Sequence, residues 1–177
     1  MTHAYSMSSV QSAAERAVRI ASHFLRSEVE GSRVHDVQAD PRFQHRGVDL
    51  LWESPAGGVT GVEVKGDRQG HRHGNFFFEL VSNLEKDTPG CFLYSTADLV
   101  LYVFLERLDV HLLPLPEVRR WFLPRAKRYP IRHTRTQMGT EGYTTLGVLV
   151  PVREVLEEVP GTRRVRVESD LARAILP

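Results

Sequence analysis

The stretch "GVDLLWESPAGGVTGVEVKGD", Gly47 to Asp67, decides how the chain is read. Val48, Leu50 and Trp52 alternate with Asp49, Leu51 and Glu53, and further on Val62 and Val64 alternate with Gly61, Glu63 and Lys65. A period of two marks β-strands. Pro55 to Gly58 between them is turn chemistry, so the runs are expected to form a hairpin. Successive strand side chains point to opposite faces, which puts Glu63 and Lys65 on one face and Val62 and Val64 on the other. With a short loop, Asp49 falls opposite Glu63 or Val64. Two carboxylates held that close repel, and a raised pKa, a basic partner or a divalent cation must relieve the repulsion.

Oxygen-only ligands favour a hard cation, Mg²⁺ first and Mn²⁺ next, held by Asp49, Glu63 and the Val64 carbonyl. Such an ion binds a phosphodiester oxygen and acidifies a bound water. Lys65 would orient that water and neutralise charge growing on phosphorus. The plainer alternative is a half-exposed hairpin carrying surface salt bridges.

Upstream, Val10, Ala13, Ala14, Ala17, Val18, Ala21, Phe24 and Leu25 form one apolar stripe, which predicts an amphipathic helix capped by Ser8 or Ser9 and ended at Gly31. Downstream, "FFFELV" (Phe76–Val81) reads as a third strand. "DLVLYVFL" (Asp98–Leu105) reads as a strand buried on both faces, with "DVHLLPL" as its hairpin partner. Pro116 opens a helix in "PEVRRWFL", and "GVLVPVREVLEEV" is a strand leading into a short helix near Val152. The C-terminal "RRVRVESDLARAIL" alternates and then turns helical. The expected class is a mixed α/β or α+β domain.

Asp49 in "GVDLLW", with Glu63-Val64-Lys65 in "GVEVKGD" and a preceding amphipathic helix, resembles the PD-(D/E)XK nuclease superfamily, in particular its small phage or bacterial endonuclease-like members. Val48 stands where that family has proline. The resemblance covers about residues 8–105, leaving a basic extension over about 106–177 within a single 1–177 domain. It implies a restriction endonuclease-like fold of αβββαβ topology, with a mixed central sheet flanked by helices. It also implies a Mg²⁺- or Mn²⁺-dependent DNA endonuclease, structure-specific or resolvase-like, with Asp49, Glu63 and Lys65 as the catalytic set. Glu15, on the first helix, would be an additional metal ligand, as in several family members, or else a solvated partner of Arg16 or Arg19. Glu79, an acid among apolar neighbours, would contact Lys65 or the metal site if Phe76 and Phe78 are buried.

At 177 residues and a net charge of +1, the chain is the size of one domain with ordinary composition. The single Cys91 excludes a disulfide framework and reads as a small buried residue. No apolar run approaches the roughly 20 residues that span a bilayer, so no membrane partner is expected. A polar N-terminus makes the cytoplasm the expected compartment. Positive charge gathers at Arg119, Arg120, Arg125, Lys127, Arg128, Arg132 and Arg135, interleaved with Trp121, Tyr129 and His133. This pattern suits a nucleic-acid backbone, with Arg68 and Arg72 of the "QGHRHGN" region as further contacts, or else a solvated helix end. A resolvase-like protein of this size would act as a homodimer on DNA. The competing expectation is a catalytically silent nuclease-fold accessory factor in recombination or excision.

Overall fold

Ser6, rather than Ser8 or Ser9, starts the first long helix: its hydroxyl accepts the Ser9 amide at 3.2 Å. The computed structural model describes residues 3–167. In chain order these form β1 (His3–Ser6), α1 (Met7–Glu28), β2 (Arg33–Asp36), α2 (Pro41–Gln44), β3 (Leu50–Glu53), β4 (Val59–Asp67), α3 (Gly70–His73) and β5 (Asn75–Asn83). Then follow β6 (Thr88–Pro89), α4 (Cys91–Tyr94), β7 (Leu99–Phe104), β8 (Asp109–Pro114), α5 (Leu115–Phe122), β9 (Ile131–Met138), β10 (Glu141–Pro151), α6 (Val152–Glu158) and β11 (Arg163–Arg166). The C-terminal helix expected from the sequence lies outside the described residues.

The strands make two sheets, ordered β11-β8-β7-β4-β3-β2 and β1-β9-β10-β5-β6. In the first, β2, β3 and β4 form an antiparallel meander, and β7 lies parallel to β4. The expected β3–β4 hairpin is present, closed where Ser54 N–H bonds the Gly58 carbonyl at 2.8 Å. The expected β7–β8 hairpin and the β10–α6 junction are also present.

Two expectations need correction. "FFFELV" lies in β5, which pairs with β10 in the second sheet, so the third strand of the meander is β2 and not β5. The architecture is therefore two stacked sheets rather than one central sheet between helices. Residues 106–167 are no extension, because β8 and β11 complete the first sheet while β9 and β10 lie inside the second.

Burial explains the stacking. Leu50, Val62, Val64, Leu101 and Val103 meet the α1 stripe of Ala17, Ile20, Ala21, Phe24 and Leu25 on one face of the first sheet. Gly66 lets that helix settle on β4, since a β-carbon there would come within 2.8 Å of the Ala13 carbonyl and the Ala17 methyl. The opposite face presents Val100, Tyr102 and Phe104 to Phe76, Phe78, Val148 and Val150 of the second sheet. Each such fully buried aromatic or aliphatic side chain contributes about 1.5–3 kcal/mol. Glu63 and Lys65, being out of phase with Val62 and Val64, are directed away from α1 toward the second sheet.

Candidate active site on strand β4

Asp49 sits one residue before β3. Its N–H donates to the Val62 carbonyl at 2.8 Å, and its Oδ2 accepts the Val64 N–H at 2.8 Å. The carboxylate thus lies against the backbone of Glu63-Val64-Lys65 itself. An extended residue directs its N–H and C=O to the same side, so the Val64 carbonyl also faces the Asp49 edge of β4. Among the described residues the other Asp49 oxygen has only a long contact from the Gln38 amide, at 3.5 Å.

Glu63 is only 5% exposed. Its Oε1 pairs with the Lys65 ammonium at 3.0 Å. Burial pushes the Glu63 carboxyl up to about 7; the Lys65 charge opposes this, while Asp49 and Glu79 reinforce it. Burial likewise raises Asp49, against the Val64 hydrogen bond and the Lys65 charge. Burial works against the Lys65 ammonium, but the Cys91 sulfur, Glu63 and Glu79 outweigh it, and its pKa lies well above the ordinary lysine value. Lys65 is therefore a fixed cation paired with Glu63, and its charge also acts on Asp49.

Three further groups complete the cluster. Glu79 is half-buried and accepts the Cys91 N–H at 3.5 Å, and its charge acts on both Glu63 and Lys65. Phe76 and Phe78 are indeed buried, the condition that gave Glu79 significance. Cys91 is buried, and burial pushes its thiol up to about 12 against the pull of the nearby Lys65 charge. Tyr94 on α4 is 39% exposed, and its phenol pKa is raised first by partial desolvation and then by the Glu63 charge. Cys91 and Tyr94 carry no motif; only the β5–α4 return brings them beside Lys65. The alternation in "GVEVK" could not have signalled them.

The "STAD" segment after α4 holds Asp49 in place. Ser95 donates to the Gly47 carbonyl at 2.6 Å, Thr96 N–H to the Arg46 carbonyl at 2.7 Å, and Gly61 N–H to Asp98 Oδ2 at 2.7 Å. Gly47 adopts φ +59°, and a β-carbon there would meet the Ser95 Cβ at 2.9 Å and the Tyr94 ring at 3.1 Å.

Glu15 does not belong to this cluster. It is exposed on α1, accepts from Gln11 at 3.0 Å, and lies on the helix that covers the other face of the sheet. Among the described residues no three His, Cys, Asp or Glu side chains converge as a metal-holding group.

The basic residues are less uniform than their sequence suggests. Arg119 is spent inside the fold, donating to the Phe92 and Ser95 carbonyls at 2.9 Å each. Arg68 is tied to the Ser9 hydroxyl and carbonyl, and Arg135 pairs with Glu85 at 3.5 Å. Arg125 lies over the Trp121 ring and donates to its carbonyl at 2.8 Å. Arg72, Arg120, Lys127, Arg128 and Arg132 are exposed. Asp67 is a turn residue, with Oδ1 accepting the Gln69 and Gly70 amides and Oδ2 accepting the Tyr102 hydroxyl. No described helix is long and apolar enough to cross a membrane.

Compared with known proteins, the chain matches no family model, no curated protein and no solved structure.

Proposed function

We propose that the protein is a divalent-metal-dependent phosphodiesterase acting on DNA, with its site at Asp49, Glu63 and Lys65. The observation that carries this reading is the Asp49 carboxylate seated on the Val64 amide, with Glu63 and Lys65 paired at 3.0 Å on either side of that residue. The strand order supports this reading: a helix, an antiparallel meander and a fourth strand parallel to the third are what a restriction endonuclease-like core would call for. The crossover differs, since it sends β5 into a second sheet and leaves the one-turn α4 where that core has a longer helix.

The donor set fits a hard cation. One buried and one half-buried carboxylate, both pushed toward protonation, are what a divalent ion would return to the charged form. Mg²⁺ needs only one or two carboxylates, with phosphate and water completing its shell. Bound there, the ion would polarise a phosphoryl oxygen and acidify a water. Asp49 and Glu63 would hold it, with the Val64 carbonyl as a third donor. Lys65, a permanent cation, would orient the attacking water and offset charge on phosphorus rather than accept a proton. Exposed Arg120, Lys127, Arg128 and Arg132 would supply backbone contacts, making affinity fall steeply with salt.

The test is cleavage of plasmid, single-stranded and branched DNA with Mg²⁺ or Mn²⁺, comparing wild type with Lys65→Ala and Asp49→Ala. Cutting by wild type and loss in both variants is expected; equal cutting by all three removes these residues from the mechanism. A second reading, a silent DNA-binding accessory protein, is favoured by the closed Lys65–Glu63 pair and the absence of a third acidic ligand among the described residues. It predicts DNA binding without metal-dependent turnover.

A further inference from the structure

A cleft of about 660 Å³ opens on the second sheet, lined by Arg128, Tyr129, Arg132, Leu149, Pro151 and Glu154 among others. Its size falls within the roughly 300–1,000 Å³ of small-molecule sites. The sheet explains its shape. Val148 and Val150 of β10 point into the core, so Leu149 and Pro151 face outward, joined there by Asn75, the register partner of Pro151. Leu149 N–H bonds the Pro130 carbonyl at 3.0 Å, which draws the 128–132 segment over this floor, and Val152 N–H bonds Gly74 at 2.9 Å, which fixes the loop after His73.

The wall chemistry is divided. Arg128 has no ion pair or side-chain hydrogen bond among the described residues, and Arg132 reaches only the carbonyl of its neighbour Ile131. These cations differ from Arg68, Arg119 and Arg135, which are committed within the fold. Opposite stands Glu154, whose Oε2 accepts the Tyr129 hydroxyl at 2.8 Å. That bond orients the carboxylate, and its other oxygen accepts nothing among the described residues. Arginine pairs favour phosphate oxygens, prolines and leucine offer a flat apolar surface, and a fixed carboxylate accepts from hydroxyl or amine donors.

We propose that this cleft binds a nucleotide, its phosphate on Arg128 and Arg132, its base against Leu149 and the prolines, and a sugar hydroxyl or amine on Glu154. The ligand is either a free nucleotide or the phosphorylated end of a nucleic-acid strand, which share this chemistry. The proposal does not depend on the Asp49 site.

Isothermal titration without divalent metal tests it, using AMP, adenosine, inorganic phosphate and a short 5′-phosphorylated oligonucleotide. AMP or the oligonucleotide should bind, with the tighter of the two naming the source, and adenosine and phosphate should each bind at least about tenfold more weakly. Arg128→Gln with Arg132→Gln should weaken the preferred ligand by on the order of tenfold or more, and Glu154→Gln should weaken it while leaving phosphate binding unchanged. Both arginines are exposed, so matching thermal melts will verify the fold. No binding of AMP or oligonucleotide at millimolar concentration, phosphate binding as tightly as AMP, or affinity unchanged in the variants would overturn the assignment. Arg128 and Arg132 serve both readings, but because metal is absent and AMP does not reach Asp49, a failed cleavage assay reports on the Asp49 cluster and a failed titration on this cleft.

Discussion

Replacing Glu63 by glutamine should remove a specific pH dependence of stability. The Glu63 carboxyl titrates near 7 in the folded protein, against an ordinary value of 4.5. A raised folded-state pKa means the native chain holds a proton the unfolded chain has released. Its stabilising contribution is complete below about 4.5 and is lost as pH rises through about 7. Linkage between pH 5 and 8 then gives a loss of roughly 2.5 kcal/mol from this one group. For a chain of this size that is on the order of 5–10 °C in melting temperature. Glutamine keeps the shape but cannot ionise, so the Glu63→Gln variant should be relatively more stable than wild type at pH 8 than at pH 5. The difference between the two proteins, followed by urea unfolding across that range, cancels groups that titrate in both, such as the buried His111, whose pKa burial lowers. Saturating Mn²⁺ should shrink the wild-type loss, because an ion favours the charged carboxylate. Parallel stability–pH curves for wild type and variant would refute the reasoning.

Gly47→Ala should destabilise by about 2–3 kcal/mol, from a positive φ and a Cβ 2.9 Å from Ser95, and should displace Asp49; chemical denaturation and metal affinity would both register it. Tyr102→Phe removes the hydroxyl that donates to Asp67 at 2.8 Å and accepts the Phe77 amide at 3.0 Å, so a cost of about 1–3 kcal/mol is expected in urea unfolding, without a change in the charge of the Asp49 cluster.

What the sequence made legible was local. The α1 stripe, the β3–β4 hairpin and the β7–β8 hairpin each rest on a periodicity within fewer than about twenty residues, and each is present. The grouping of Asp49 with Glu63 and Lys65 followed from that same hairpin. What stayed hidden depends on pairing across long separations. "FFFELV" alternates whether it joins β4 or β10, and only the partner strand, some 70 residues later, decides. β2 is short and mostly exposed, so "RVHD" shows no hydrophobic rhythm. Arg119 reads as one of a basic run, yet two carbonyls of the α4 region claim it. Glu15 is a surface glutamate, since its helix covers the face of β4 that Glu63 leaves. Cys91 entered the site through the fold of the β5–α4 return, which carries no residue signature.

The most direct measurement is Mn²⁺ titration followed by electron paramagnetic resonance on wild type, Asp49→Asn, Glu63→Gln and Glu15→Gln. One ion per chain bound by wild type and Glu15→Gln, with binding weakened by at least about tenfold in the other two, is the expected result. Wild-type protein that binds no Mn²⁺, or binding that Asp49→Asn leaves intact, would contradict a metal centre on β4.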